Sequence, residues 1–208
     1  MEPIKQEIEA LTTGQKVACF PSDASDEKSV KGAYKAITSQ LGVPSVLIYN
    51  AAARRLIVQG ICDVSTEEFI NFWKINCLGA FFWSREVLPE MKMNQSGTII
   101  FTGATSSLRS LAGLASFSVG KFGLRSLSQS IAREVGPSGI HVAHVIIDGK
   151  VDVPLVRKYV EKQKIPDISW MSPSDIADQY WAIHKQPKST WTYELDLRPF
   201  DEPMTAKM

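Results

Sequence analysis

Short apolar runs alternate with longer segments of helical period along the whole chain, and this alternation constrains the fold more than any other feature. We predict strands at 16–21, 45–50, 97–102, 141–148 and 192–199, and helices at 26–41, 66–93, 114–135 and 173–184. The middle three runs are apolar at consecutive positions, which is typical of parallel strands covered on both faces. The pattern predicts a single α/β domain over 1–208, with a doubly wound parallel sheet in a three-layer α/β/α arrangement.

Two of the helices carry clear start signals. Ser65 and Glu68 have the spacing of a capping box, in which a hydroxyl oxygen accepts from the main chain three residues later. Ser172 precedes Pro173, with Asp175 at the third helical position, as expected for an N-cap followed by proline. These signals place helix starts at 66 and 173.

Composition and charge exclude several classes of partner. The chain has 23 Lys and Arg against 22 Asp and Glu, a net charge of +1, and no basic stripe, so we expect no nucleic-acid partner. No apolar run approaches the roughly 20 residues of a membrane span, and the first residues lack the order of a signal peptide. We therefore expect a cytoplasmic protein without a membrane partner. The final Ala206-Lys207-Met208 resembles a peroxisomal address and leaves that compartment as an alternative.

Neither the cysteines nor the histidines have the spacing of a metal site. Cys19, Cys62 and Cys77 lie among apolar neighbours, and we expect buried thiols. His141 and His144 are three residues apart on a predicted strand, so their side chains point to opposite faces. We expect no bound metal.

Small and polar residues follow the predicted strands, where ligands bind in doubly wound folds. Any one of them is compatible with an ordinary turn, whereas their succession at one edge of the sheet predicts a cleft of nucleotide size. They are Asp23, the run Asn50-Ala51-Ala52, residues 103–107, and the pair Asp148-Gly149.

Four segments together resemble the short-chain dehydrogenase/reductase family: SDASDEKSV, VLIYNAAA, KINCLGAFF and IIDGKVDVP. The resemblance implies a Rossmann-like fold and an NADP or NAD cofactor. Asp23 would meet the adenine, and Asn50, Ala51 and Ala52 would form the strand end beside the cofactor. Gly149 is retained from the family segment, and Val153 replaces a threonine that would touch the nicotinamide amide. Asp148 replaces a proline.

The catalytic residues that the resemblance implies are kept only in part. The family uses a tyrosine as proton donor, a lysine four residues later, an asparagine and a serine. Asn76 and Lys121 match, whereas Phe117 stands in the tyrosine position, as in a divergent subgroup of classical-like members. Ungapped counting places the serine at Ala104, and a loop of different length would bring Thr105 or Ser106 there instead.

The hydroxyl groups beside Phe117 do not replace the tyrosine. Ser116 and Ser118 lie about 100° to either side of Phe117 around a helix, so we expect their side chains to point away from Lys121.

The glycine-rich turn that holds the cofactor pyrophosphate in this family is absent. No two of the 13 glycines are separated by a single residue. The resemblance begins after the family's second strand, so we expect a fold without the family's first two strands. Run 16–21 would then lack its neighbours. We expect it to pair with 45–50, because Ile48 would otherwise lie at an exposed edge.

These features predict an oxidoreductase acting on a small carbonyl or alcohol, with weak or lost activity in this chain. The alternatives are a non-catalytic relative that dimerises or senses a ligand, and a fragment from an incomplete gene model. The residues that separate NAD from NADP follow the absent second strand. We expect a homodimer or homotetramer formed through helices 66–93 and 114–135, as in the family.

Overall fold

Six strands and seven helices make up the described chain, taken from a computed structural model that covers residues 2–11, 14–53, 58–163 and 169–201. The helices are α1 (Glu2–Glu9), α2 (Glu27–Leu41), α3 (Thr66–Trp73), α4 (Gly79–Met93), α5 (Ala115–Val135), α6 (Pro154–Gln163) and α7 (Pro173–His184). The strands are β1 (Val46–Tyr49), β2 (Gly97–Thr102), β3 (Ile140–Ile147), β4 (Lys150–Val151), β5 (Trp170–Met171) and β6 (Glu194–Leu197).

The main sheet has the order β1-β2-β3-β6, and every neighbouring pair is parallel. Ile48 is paired with Ile100, and Phe101 with His144, which in turn is paired with Glu194. β4 and β5 form a separate two-stranded parallel ribbon. The carboxyl ends of β1, β2 and β3 therefore meet at one edge of the sheet, where the sequence predicts the cleft.

Helices cover the two faces of this sheet unequally. On one face, Ile99, Phe101 and Val142 pack with Leu124 and other residues of α4 and α5. On the other face, Ile100, Ala143 and Val145 pack with Tyr180 and Ile183 of α7. The predicted α/β architecture is confirmed, and α7 leaves part of the second face uncovered at β1.

The expectation of a strand at 16–21 is wrong. These residues form no regular structure and no main-chain hydrogen bond to the described part of the chain. The segment after residue 21 leads the chain away from the edge of the sheet, because Ala24 packs on the core and α2 packs against α4. β1 is consequently an edge strand paired only with β2, and Ile48 is 48% exposed. The predicted pairing with 45–50 does not occur, and the exposed edge is found instead.

The predicted helix at 66–93 is interrupted by a π-helical turn at Lys74–Leu78 that contains Asn76. The Asn76 side-chain amide donates to Phe72 O, one turn earlier, at 3.0 Å and thus competes locally with the helical main chain. Single π turns within α-helices are frequent at functional sites. The turn buries Asn76 beneath the surrounding helices.

The other predicted helices agree closely with the structure. Ser65 and Ser172 accept from Glu68 N at 3.1 Å and Asp175 N at 3.3 Å, respectively, so both start signals are confirmed. The sequence pattern did not predict α1, α6 or the β4–β5 ribbon, all of which are short.

Two further expectations concern the cysteines and the C-terminal tripeptide. Cys19 and Cys62 are exposed, because both lie in irregular or single-turn segments outside the core, so the expectation of buried thiols is wrong for them. Ala206-Lys207-Met208 lies outside the described residues. In the ranges that the structure covers, no helix combines the length and apolarity of a membrane span.

Candidate active site

Two cavities meet at the carboxyl ends of the central strands, with volumes of about 930 Å³ and 410 Å³. Phe117 contributes to the wall of both. Ala104, Ile147 and Val151 also border both cavities. The phenylalanine therefore stands at the boundary between a larger and a smaller compartment.

The larger cavity lies on the sheet face that α7 covers incompletely. Ile48 and Ile100 belong to its sheet side, and Tyr180 and Trp181 belong to the opposite wall. Besides Phe117, four residues that the sequence predicts as site residues line it: Asn50, Ala52, Lys121 and Val153.

Lys121 is a buried charged residue that lines the larger cavity. Its side chain is 3% exposed, and Nζ donates to Thr102 O at the end of β2, at 2.7 Å. The Phe117 ring centre lies 5.8 Å from Nζ, as expected for residues four apart on one helix face. Burial lowers the pKa of the Lys121 amine to about 8. The amine thus titrates near neutrality, which suits a group that exchanges protons.

Asn76 lies behind this cavity and lines neither compartment. Its amide nitrogen donates to Ala53 O at 2.8 Å and to Phe72 O. Its Oδ1 atom is buried and has no partner within the described chain. An unpaired buried acceptor is unfavourable by about 1–3 kcal/mol.

The loop that follows β2 forms part of the wall of the smaller cavity. Thr105, Ser106 and Gly149 line it. The Thr105 hydroxyl donates to the Asp148 carboxylate, whereas the Ser106 hydroxyl makes no hydrogen bond to the described residues. Of these two candidate hydroxyl groups, only that of Thr105 already has a hydrogen-bond partner among the described residues.

Asp148 is the centre of an ion cluster whose partners the sequence did not reveal. Its buried carboxylate accepts from Arg109 at 2.9 Å and lies 3.1 Å from the Arg198 guanidinium. Burial tends to raise the pKa of Asp148, but the hydrogen bonds from Thr105 and Arg109 prevail and hold it below its ordinary value. The cluster ties the loop after β2 to the end of β3 and to the segment after β6.

A second network lies under α5 and was also missed. His144 is fully buried, and its Nδ1 lies 3.0 Å from Glu194, which accepts two hydrogen bonds of 2.7 Å from Arg125. Burial lowers the pKa of His144, although the bond to Glu194 opposes this. The Nε2 atom of His144 fills the place that a side chain at Gly103 would take. This explains the glycine at the end of β2.

His141 and His144 contact different elements. His141 stacks on Trp191 at 4.8 Å, and its Nε2 lies 2.8 Å from Thr192 O. Across the described ranges, no group of three or more His, Cys, Asp or Glu side chains is placed to hold a metal ion.

Two predicted cofactor contacts are not brought to either cavity. Asp23 is exposed and holds Ser25 through hydrogen bonds of 2.8 Å and 2.7 Å. Ala51 is exposed as well, although its neighbours Asn50 and Ala52 line the larger cavity.

Comparison of the sequence with known families identifies the family of this chain. A sequence model described as short chain dehydrogenase matches residues 1–164. The chain belongs to this family. A solved short-chain dehydrogenase from Rhodopseudomonas palustris is 35% identical, with a TM-score of 0.77 over 96% of this chain and 81% of that chain. The family prediction from the sequence is thereby confirmed.

More distant relatives share the fold. An alcohol dehydrogenase from the archaeon Thermococcus sibiricus, solved with 5-hydroxy-NADP, has a TM-score of 0.80 at 22% identity over 97% of this chain and 82% of that chain. The glycine betaine reductase ATRR of Emericella nidulans is 24% identical over 98% of this chain, which corresponds to 16% of the relative. The chain spans less than two thirds of the length of the curated relatives that it matches.

Proposed function

We propose that the protein is an NAD(P)-dependent oxidoreductase that reduces a small carbonyl substrate slowly, or oxidises the corresponding alcohol. Membership of the short-chain dehydrogenase family supports the reaction class. The observation that carries the proposal is the buried Lys121 amine, with a pKa of about 8, on the cavity that Phe117 separates from a second compartment.

The residues of the larger cavity fit one end of the cofactor. Asn50, Ala52 and Val153 provide a mainly apolar surface of small side chains for a flat nicotinamide ring, and Lys121 provides a donor for a ribose hydroxyl. No glycine pair of the required spacing exists in the sequence to receive the pyrophosphate. We therefore expect nucleotide binding to be weak, and either NAD or NADP to be accepted.

When bound, the cofactor supplies or accepts the hydride. The chain must then deliver one proton to the carbonyl oxygen, and Phe117 has no proton to give. Lys121 Nζ holds a suitable proton, which a water molecule in the cavity can carry to the substrate. In this proposal the Ser106 hydroxyl, which lines the smaller cavity, binds the substrate oxygen.

The substitution Phe117→Tyr tests this proposal. A tyrosine hydroxyl restores a positioned acid, and general acid catalysis contributes about 10²–10⁴-fold. We expect carbonyl-dependent oxidation of NADPH or NADH, followed by absorbance with a panel of small ketones and aldehydes, to increase within that range. Lys121→Met in the Phe117→Tyr background should remove the gain.

Phe200→Tyr provides the control, because Phe200 is exposed and lines neither cavity. It should leave the rate unchanged. Nucleotide binding is measured separately by the fluorescence of NADPH and NADH. No binding of either nucleotide, together with no gain in the Phe117→Tyr variant, would contradict the proposal and favour the non-catalytic alternative.

We also propose that the protein forms a homodimer or homotetramer through α3, α4 and α5. Apolar side chains remain exposed on these helices in the single chain, namely Ile70, Trp73, Phe81, Val119 and Phe122. Covering them in a second copy would remove apolar surface from water. Light scattering of the purified protein measures the oligomeric state directly.

A further inference from the structure

The larger cavity combines apolar walls with one buried positive charge. We propose that it binds an apolar carboxylic acid, whose carboxylate lies at Lys121 and whose hydrocarbon chain lies against the apolar walls. This binding requires no nucleotide and therefore does not depend on the proposed function. Only one consequence rests on the proposed function, namely that a bound acid keeps the nicotinamide out of the same cavity.

Lys121 has no counter-ion within the described chain. Its amine stays mostly protonated at neutral pH and donates to Thr102 O, a neutral acceptor, at 2.7 Å. The described residues that line the cavity include no Asp or Glu. Burying an ionised group is unfavourable unless an opposite charge accompanies it. A bound carboxylate supplies that charge, and the hydrogen atoms of Nζ that Thr102 O leaves free can donate to its oxygens.

A single amine also sets the class of anion. Among the described residues that line the cavity there is no arginine and no second lysine. A phosphate monoester carries up to two negative charges near neutral pH and offers three acceptor oxygens, which one amine satisfies poorly. A carboxylate carries one negative charge and matches one ammonium group. The charge of the cavity therefore favours a monocarboxylate.

The rest of the cavity favours an apolar chain. Three of its polar side chains are already hydrogen-bonded within the protein: Tyr180 Oη lies 2.9 Å from Thr102 Oγ1, and His184 Nδ1 lies 2.9 Å from Thr98 Oγ1. Apolar side chains make up much of the remaining wall, among them Val46, Ile48, Ile100, Ile147, Ile176 and Trp181. Each methylene of a ligand buried against such a surface strengthens binding about fourfold.

Exposed apolar side chains border the cavity where a ligand can enter. Ile48, on the edge strand β1, is 48% exposed, and Trp181, on α7, is 63% exposed. Exposed apolar groups of this kind mark ligand-binding grooves. The volume of about 930 Å³ lies within the usual range for small-molecule sites and is sufficient for an acid of eight carbons or more.

Calorimetric titration of the full chain without nucleotide, at neutral pH, tests the proposal. The probes are octanoate, octan-1-ol, which has the same chain without the charge, and butanoate, which has the charge on a shorter chain. We expect octanoate to bind at least tenfold more tightly than either of the other probes. Equal binding of octanoate and octan-1-ol, equal binding of octanoate and butanoate, or no binding of octanoate would overturn the proposal.

A pair of lysine variants locates the carboxylate. Lys121→Met should lower the affinity for octanoate at least fivefold and leave that for octan-1-ol within about twofold, because only the acid uses the charge. Lys28→Met is the control, because Lys28 is exposed on α2 and lines neither cavity. Octanoate binding that is unchanged in Lys121→Met, or reduced equally in both variants, would refute the contact with Lys121.

A pair of alanine variants locates the chain. Ala177 and Ala182 are both exposed on α7, but only Ala177 lines the larger cavity. Ala177→Trp narrows the cavity and should weaken the binding of octanoate and octan-1-ol at least fivefold, whereas Ala182→Trp should change neither. Equal effects of the two substitutions would place the binding site elsewhere and count against the proposal.

The outcome is separable from the test of the proposed function. Octanoate binding is read without nucleotide, whereas the oxidoreductase proposal is read from nucleotide fluorescence and from the Phe117→Tyr variant. A protein that binds octanoate but no nucleotide retains this inference and loses the proposed function, and the reverse result does the opposite. In a protein that binds both, octanoate should displace NADPH, and simultaneous binding would refute the shared cavity.

Discussion

Removing the buried charge of Lys121 should change how the stability of the protein depends on pH. Burial lowers the pKa of this amine from 10.5 to about 8 in the folded chain, whereas an unfolded chain exposes it to water. At neutral pH the folded protein therefore holds a proton that burial disfavours. Lys121→Met removes this unfavourable charge and keeps a side chain of similar length.

The sign and size follow from proton linkage. Between pH 8 and 10.5 the folded chain has released the Lys121 proton while the unfolded chain still binds it, so the stability of the unaltered protein rises with pH. The two pKa values correspond to about 3 kcal/mol in total, of which about 2 kcal/mol is expressed between pH 7 and pH 10. The Met variant lacks this contribution.

Urea unfolding, followed by tryptophan fluorescence, measures the effect. The free energy of unfolding is compared between Lys121→Met and the unaltered protein at several pH values, so that all other titrating groups cancel in the difference. The variant should be the more stable protein at pH 7, and its advantage should shrink by about 2 kcal/mol towards pH 10. The hydrogen bond to Thr102 O sets how large the advantage at pH 7 is, because the variant loses it.

Lys28→Met, at an exposed position of α2, is the control for the loss of one surface charge. A difference between Lys121→Met and the unaltered protein that stays constant, within about 0.5 kcal/mol, from pH 7 to pH 10 would contradict this prediction. Such a result would mean that water reaches the Lys121 amine in the folded protein.

Two further predictions concern stability and are read from urea unfolding at neutral pH. Asp148→Asn should destabilise the fold by about 3 kcal/mol, because Arg109 and Arg198 would lose their shared counter-charge; a loss below 1 kcal/mol would contradict this. Ile48→Lys should change stability by less than about 0.5 kcal/mol because Ile48 is half-exposed at the edge. Ile100→Lys, its fully buried partner in the register, should prevent folding, and similar effects of the two substitutions would count against an open edge at β1.

The arrangement of Phe117 and Lys121 was readable from the sequence because it is a local property of a helix. Residues four apart share a helix face whatever surrounds them, and the structure places the amine 5.8 Å from the ring centre. The helix starts at Ser65 and Ser172 depend on equally local contacts, and both were predicted correctly.

The run at 16–21 does not form the predicted strand for the complementary reason. A short apolar run has the composition of a strand, but a strand forms only with a neighbour that pairs with it. No described segment pairs with residues 16–21. Because α2 packs against α4, the residues before α2 lead toward that helix and not along the edge strand β1. Composition alone carries no information about that neighbour.

The sequence by itself determined the family, the order of the four strands of the main sheet and the order of the helices that pack on it, and it sets Phe117 four residues before Lys121. Those features depend on contacts between residues close in the chain or on residue identity. Only the tertiary structure decided that Asp148 meets Arg109 and Arg198, that Lys121 and Trp181 line one cavity, and that β1 lies at an open edge. These contacts join residues far apart in sequence, and the sheet register and helix packing that bring them together are set by the whole fold.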